Sequence, residues 1–166
     1  MPHLCRLILL NIRLHILQNE TMENLKHFTL QELTFSTTAQ ALGYTNMPNF
    51  NEASNLYKLG KLFLEPIRKY CGFPIHVNSG YRSPRINAAV GGVVTSAHLY
   101  GRAADIRGNS PEQTKKIYLA VLALKLPFDQ LIIYGDYRFI HLGISHAPGD
   151  PYTIDLVTAR KQVLRK

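Results

Sequence analysis

Helical and strand-like patterns of apolar residues alternate with turn signals along most of this chain. Apolar residues recur at helical spacing from Asn51 to Tyr70, which predicts the longest helix, with a kink near its end at Pro66. Thr29-Leu-Gln-Glu32 has the pattern of a capping box and predicts the start of a short helix. The stretch TTAQALGYTNMPN that follows is rich in turn residues and is predicted to be a loop.

The second half of the chain is dominated by short apolar segments typical of strands. The predicted strands are Ile75-His-Val-Asn and residues 103–107, 130–134 and 138–144. Gly135-Asp136 separates the last two strands, which predicts a hairpin. Ser83 and Ser110, each followed by proline, predict two further helix starts. Because helices come first and the hairpin comes late, the order predicts a single-domain α+β fold with a mostly antiparallel sheet.

The two ends of the chain differ from its middle. Residues 1–21 are rich in Leu and Ile, but Arg6 and Arg13 interrupt the apolar run, so no clear secretory signal is present. An amphipathic helix at a membrane surface is one interpretation. We prefer an extension outside the domain, because domain-like signals begin directly after Met22. The predicted organisation is therefore an N-terminal extension at 1–21, a domain at 22–147 and a basic C-terminal tail at 148–166.

Composition and charge narrow the classes of function. The chain is 46% hydrophobic and 18% charged, as in a packed globular protein, and no apolar run reaches the ~18 residues of a membrane span. Nineteen Lys and Arg against 11 Asp and Glu give a net charge of +8, which favours anionic partners. No nucleic-acid-binding motif is present, so we do not expect nucleic acid as the partner. The two cysteines form no C-x-x-C pair. The sequence carries no signal of oligomeric state.

Two of the seven histidines have neighbours that suggest metal chemistry. His98 lies seven residues before Asp105 in the segment SAHLYGRAAD, and His141 interrupts the apolar strand FIHLGI. A buried imidazole in such a strand needs a polar partner or a metal. Two imidazoles and one carboxylate suit a catalytic zinc ion, which keeps a fourth position open. From spacing alone, a loop histidine, a turn carboxylate and a hydrogen-bonded core histidine remain the alternative.

The spacing of these residues resembles that of a known enzyme family. Ser-x-His-x-x-Gly-x-Ala-x-Asp at 96–105, followed by a strand histidine, resembles the zinc D-alanyl-D-alanine carboxypeptidases. That family includes phage endolysins and belongs with the lysostaphin and Hedgehog-type metallopeptidase fold. The upstream segment VNSGYRSP at 77–84 resembles the S-G-Y-R-S segment of the family, and the match runs from about Phe28 to Ile144.

The resemblance implies a zinc peptidase that acts on peptidoglycan stem peptides in the bacterial cell envelope, as a D-Ala-D-Ala carboxypeptidase or an endolysin-type endopeptidase. By position, it implies that His98, Asp105 and His141 are Zn²⁺ ligands. It also implies that Arg82 is directed at the substrate, and that Ser96 and Tyr81 contact the substrate. A guanidinium suits the role of the arginine, because it is a planar, permanently charged donor.

One position departs from the family pattern. Many members carry Asp or Glu three residues before the last zinc histidine as the general base. This chain has Arg138 there, and an arginine does not accept a proton at neutral pH. Asp136, in the predicted hairpin turn, is the replacement that we expect. Asp129 is the other nearby carboxylate, and His146 is a more distant option.

Two other hypotheses stay open. Arg138 at the usual acid position favours a non-catalytic module that keeps a zinc site and binds cell wall without cutting it. The positive charge and residues 1–21, taken alone, favour a basic protein of nucleic-acid or membrane surfaces.

Overall fold

The computed structural model describes residues 25–151, 154–156 and 162–166. The predicted extension at 1–21 lies outside these residues. Within the described part of the chain, no helix is both long and apolar enough to cross a membrane.

The described residues contain eight helical segments, of which five precede the first strand and the longest has 13 residues. They are α1 (Leu30–Thr34), α2 (Thr37–Leu42), α3 (Phe50–Leu59), a π-helical turn (Gly60–Leu64), α4 (Glu65–Cys71), α5 (Pro84–Ala89), a 3-10 turn (Ala97–Tyr100) and α6 (Pro111–Ala123).

Five strands form one sheet in the order β1-β2-β4-β3-β5. Their bounds are β1 (His76–Ser79), β2 (Ala103–Arg107), β3 (Phe128–Tyr134), β4 (Phe139–Ile144) and β5 (Gln162–Arg165). Neighbouring strands are antiparallel except β3 and β5, which are parallel. The predicted α+β fold with a mostly antiparallel sheet is confirmed. The predicted tail at 148–166 contributes an edge strand to this sheet.

The longest predicted helix is present but divided. The chain is helical from Phe50 to Cys71, through α3, the π-helical turn and α4. A capping box starts it: Asn49 accepts from the N–H of Glu52, and the Glu52 carboxylate accepts from the N–H of Asn49. Pro66 lies in the first turn of α4, where a missing N–H costs least. The irregularity is therefore the preceding π-helical turn and not a kink in the last turn.

The predicted loop at 37–49 is wrong in its first half, where α2 forms. Ser36 caps this helix by accepting from the N–H of Ala39, and Gly43 ends it in the left-handed conformation. The residues between them are mostly good helix formers, so these local signals outweigh the turn residues around them. The loop occupies only the remaining residues, 43–49.

The two faces of the sheet differ in chemistry because successive strand residues point to opposite sides. One face of the central strands is apolar, fully or almost fully buried, and packed in the hydrophobic core with α6: Ala104, Ile106, Leu131, Ile133, Ile140 and Leu142. The opposite face carries the polar residues. There the register places Asp105 beside His141, and His141 beside Ile132. The apolar face therefore fixes which residues meet on the polar one.

Gly101, which connects the 3-10 turn to β2, offers a test of this packing. Its φ is +67°, and a Cβ there would lie 2.3 Å from the carbonyl oxygen of Glu52. Gly43 has nearly the same φ, +66°, but its Cβ would meet nothing within 4 Å. We expect Gly101→Ala to lower the free energy of unfolding by ~1–3 kcal/mol more than Gly43→Ala, because only the former overpacks the interior. Urea unfolding followed by circular dichroism measures both, and equal losses would contradict the clash.

Candidate metal centre

Three side chains predicted to be metal ligands come from three different elements. His98 lies in the 3-10 turn, Asp105 in β2 and His141 in β4. The pairing of β2 with β4 sets Asp105 directly opposite His141. Gly101 adopts the left-handed conformation that ends the 3-10 turn, and the chain then returns into β2. All three side chains are buried, with 2%, 8% and 9% of their residue surfaces exposed.

One donor atom from each side chain converges on a common point. His98 Nε2 lies 3.2 Å from His141 Nδ1 and 3.3 Å from Asp105 Oδ1, and Asp105 Oδ1 lies 2.8 Å from His141 Nδ1. With bonds of about 2.0–2.1 Å, the ligand atoms of a tetrahedral zinc ion are about 3.3 Å apart. The donor set and its spacing therefore fit a single divalent ion.

The backbone of Gly80 selects the ring nitrogen of His98 that faces this point. His98 Nδ1 lies 2.6 Å from the Gly80 carbonyl oxygen, which only accepts, so Nδ1 carries the proton and donates. Nε2 is then left with its lone pair directed at His141 and Asp105. Metal-binding histidines commonly donate their second nitrogen in this way, which fixes both the tautomer and the ring orientation.

The electrostatics keep the donors in the states that bind a cation. Burial alone would raise the pKa of Asp105, but hydrogen bonds with His141 and His98 outweigh it and hold that pKa well below its usual range. Burial lowers the pKa of His98, which favours its neutral form. A metal requires this combination of an ionised carboxylate and a neutral imidazole.

Arg82 binds the other oxygen of the same carboxylate. Its Nη2 donates to Asp105 Oδ2, and its Nε donates to Ser79 Oγ over 2.7 Å. The backbone N–H of Arg82 also donates to the carbonyl oxygen of His98, over 3.1 Å. The guanidinium is therefore fixed beside the three donors.

Gly143 makes room for the ring of His141. It is the next residue of β4 on the same face, and a Cβ there would lie 3.2 Å from His141 Nε2, a tight contact. The small residue therefore leaves the imidazole free to turn its Nδ1 toward Asp105.

The three donors open into a cavity of about 590 Å³. Arg82 and Ser96 line it with them, so the structure brings these five predicted site residues together. The loop from Val90 to Thr95 contributes part of the lining. The remaining wall comes largely from three strands and from residues next to strands. The lining residues are Asp129, Gln130, Ile132 and Tyr134 in β3, Phe139 in β4, Leu164 in β5, and Arg102, His146 and Lys166 beside the strands.

Tyr81 and Asp136 are not brought to this cavity. Tyr81 is 4% exposed and belongs to the hydrophobic core, although Arg82 next to it lines the cavity. Asp136 is exposed in the turn between β3 and β4. The N–H of Arg138 donates to the carbonyl oxygens of Tyr134 and Gly135, which closes this turn and leaves Asp136 beyond the strands that line the cavity.

Several lining residues have no local sequence signal. Arg102 is 3% exposed and donates from Nη1 to the carbonyl oxygen of Ile144 over 2.8 Å. Lys166 reaches the cavity only because β5 pairs with β3. Tyr134 is placed by the observed hairpin register, which pairs it with Phe139 and so puts it on the face of His141. The predicted strands, 130–134 and 138–144, did not fix this register, which follows from the four-residue turn at 135–138.

The fold and the site together define a protein with a buried His-Asp-His centre on the polar face of a mostly antiparallel sheet, open to a substrate-sized cavity. A family model described as peptidase M15 matches residues 26–143. The chain belongs to the peptidase M15 family, whose members are metallopeptidases, and the resemblance read from residues 77–84 and 96–105 is confirmed. A comparison with curated proteins finds no match.

The assignment of the three donors predicts the metal content of variants. We expect the purified protein to hold zinc after dialysis, and His98→Ala, Asp105→Ala and His141→Ala each to lose it, because two donors bind far more weakly than three. His146→Ala is the matched control, since His146 lines the same cavity outside the donor set. Elemental analysis beside circular dichroism measures content and folding. Zinc loss only in the His146 variant would contradict the assignment.

Proposed function

We propose that this M15 peptidase is zinc-dependent and hydrolyses the stem peptides of peptidoglycan. The observation that carries the proposal is the buried donor set of His98, Asp105 and His141, opening into a cavity that Arg82 also lines. Family membership supports hydrolysis of a peptide bond. The donor chemistry supports zinc, because nitrogen and carboxylate oxygen ligands with an open side are typical of catalytic zinc.

Zn²⁺ held by His98 Nε2, Asp105 Oδ1 and His141 Nδ1 would supply a Lewis acid that polarises a peptide carbonyl and makes water more acidic. Arg82 has five N–H donors, and those not engaged by Asp105 and Ser79 remain for the substrate. They suit a peptide carboxylate or a carbonyl oxygen that gains negative charge. Because Arg82 is already fixed, little reorganisation is needed when the substrate arrives.

The charge of the cavity supports an anionic peptide substrate. Arg82, Arg102 and Lys166 line it beside two carboxylates, Asp105 and Asp129; a bound zinc ion would add two positive charges, and the chain has a net charge of +8. Stem peptides carry free carboxylates, and the bacterial envelope around them is anionic, so a basic protein is attracted to both. The proposal includes terminal cleavage of D-Ala-D-Ala and endopeptidase cleavage within the stem, which differ in the products released.

Hydrolysis also requires a group that accepts a proton from the attacking water. The placement of Asp136 outside the cavity lining does not support it in this role. Asp129 and His146 line the cavity and have suitable lone pairs. His146 Nδ1 donates to the Ala147 carbonyl oxygen over 2.9 Å, which leaves Nε2 as its proton acceptor. We therefore propose that the proton acceptor is one of these two groups.

A second candidate function is a module that binds zinc and cell wall without cleaving it. The observation that favours it is the absence of an acid at position 138 combined with the exposed position of Asp136. It shares the zinc site and the substrate class with the leading proposal, so turnover distinguishes the two.

The proposed activity is tested on isolated peptidoglycan. We expect the zinc-loaded protein to release new amino groups, a chelator to abolish the release, and added zinc to restore it. The reason is that the proposed hydrolysis requires the zinc ion held by the three donors. Amine labelling and mass spectrometry of the soluble products measure release and identify the bond. Binding to peptidoglycan without release, with zinc demonstrably present, would favour the non-catalytic module.

The role of Arg82 is tested by Arg82→Gln. Removal of one transition-state donor lowers kcat by about 10²–10³-fold in comparable sites, and we expect a loss of that order. Arg138→Gln is the matched control, because Arg138 is exposed and lies outside the cavity lining. Zinc content is measured in parallel, since Arg82 also contacts Asp105. Unchanged turnover in the Arg82 variant would exclude this role.

A further inference from the structure

We propose that the hydroxyl of Tyr134 is a catalytic hydrogen-bond donor, which contacts the carbonyl oxygen of the scissile peptide bond as negative charge develops on it. The inference rests on the proposed peptidase function and adds a second donor to Arg82. It involves no covalent step, because the hydroxyl keeps its proton throughout.

The register of the sheet places Tyr134 beside the metal centre. Tyr134 is the last residue of β3 and pairs with Phe139, and Ile132, two residues earlier, pairs with His141. Residues two apart on a strand share a face, so Tyr134 lies on the face of His141 and Asp105. Diagonal neighbours across a strand pair are about 7–8 Å apart, within reach of an aromatic side chain. Tyr134 accordingly lines the same cavity.

The ring of Tyr134 is held by stacking. It lies 4.5 Å from the ring of Phe139, with 11° between the ring planes. Stacked aromatic pairs of this kind are favourable, and the two rings support each other at the edge of the cavity. Because the ring alone makes this contact, the hydroxyl is not needed to hold the side chain in place.

The hydroxyl is available as a donor. The side chain is half-buried, and no hydrogen bond joins its hydroxyl to the described residues. Burial raises the pKa of Tyr134, the charge of Asp105 raises it further, and Arg82 lowers it by less. A phenol whose pKa is raised above 10 stays protonated at neutral pH, so it donates a hydrogen bond and does not act as a base.

Tyr134 and Arg82 approach the centre from different strands. Arg82 follows β1 and contacts Asp105 on β2, whereas Tyr134 lies on β3, beyond His141 on β4. Both side chains line the same cavity. A substrate oxygen between them would receive donors from two sides, one charged and one neutral, as in other sites that stabilise an oxyanion.

Tyr134→Phe tests the role, because it removes the hydroxyl and keeps the ring that stacks on Phe139. We expect kcat to fall about 10²-fold, with KM, zinc content and the free energy of unfolding unchanged. Tyr118→Phe is the matched control, since Tyr118 lies on α6 and packs against Tyr137, outside the cavity lining. A kcat within twofold of the wild type, or a higher KM at unchanged kcat, would overturn the proposal.

A binding measurement separates this inference from the proposed function. A phosphinate analogue of a D-Ala-D-Ala dipeptide carries a tetrahedral anionic centre in place of the scissile carbonyl. In calorimetry on the zinc-loaded proteins, we expect Tyr134→Phe to weaken phosphinate binding at least tenfold and to leave binding of the product peptide unchanged. Equal affinities of wild type and variant overturn the donor role. If the wild type binds the phosphinate but releases no product from peptidoglycan, the proposed peptidase function is refuted. The difference in phosphinate affinity between wild type and variant then still tests the Tyr134 hydroxyl as a donor.

Discussion

The antiparallel pairing of β2 with β4 is the constraint on which the site depends. It sets Asp105 opposite His141, so that Oδ1 and Nδ1 lie 2.8 Å apart on the polar face of the sheet. A shift of one residue would turn the carboxylate toward the hydrophobic core, where an unpaired charge is costly. The apolar side chains of Ile106 and Ile140 on the opposite face therefore hold the metal donors in register.

Asp105 joins the candidate metal donors to Arg82 through its two oxygens. Oδ1 faces both imidazoles, and Oδ2 accepts from Arg82. A buried carboxylate is unstable unless positive charge or hydrogen bonds compensate it, and here Arg82 does so from one side. The same contact fixes the guanidinium in the wall of the cavity. One carboxylate thus orients Arg82 and completes the candidate donor set.

Local signals drew attention to the candidate donors, and the family resemblance assigned them as ligands. His98 and Asp105 share a ten-residue motif, and His141 interrupts an apolar strand. Proximity along the chain also favours Asp136, but strand pairing and not sequence separation decides which residues line the cavity. Tyr134 is farther from His141 in sequence, yet the hairpin register brings it to the same face. Lys166 depends on the parallel pairing of β5, for which no local pattern exists.

The tight β3–β4 turn explains why Tyr134, a strand residue, lines the cavity beside the turn while Asp136, in the turn, does not. Asp136 and Tyr137 both have positive φ, at 45° and 65°, and the N–H of Arg138 closes the turn onto Tyr134 and Gly135. This geometry lets Tyr134 pair directly with Phe139 and stack on it. A wider turn, able to direct a carboxylate from position 136 or 138 into the cavity, would separate that pair. The chain therefore has the stacked tyrosine at this end of the cavity, and the proposed proton acceptors, Asp129 and His146, come from other parts of the lining.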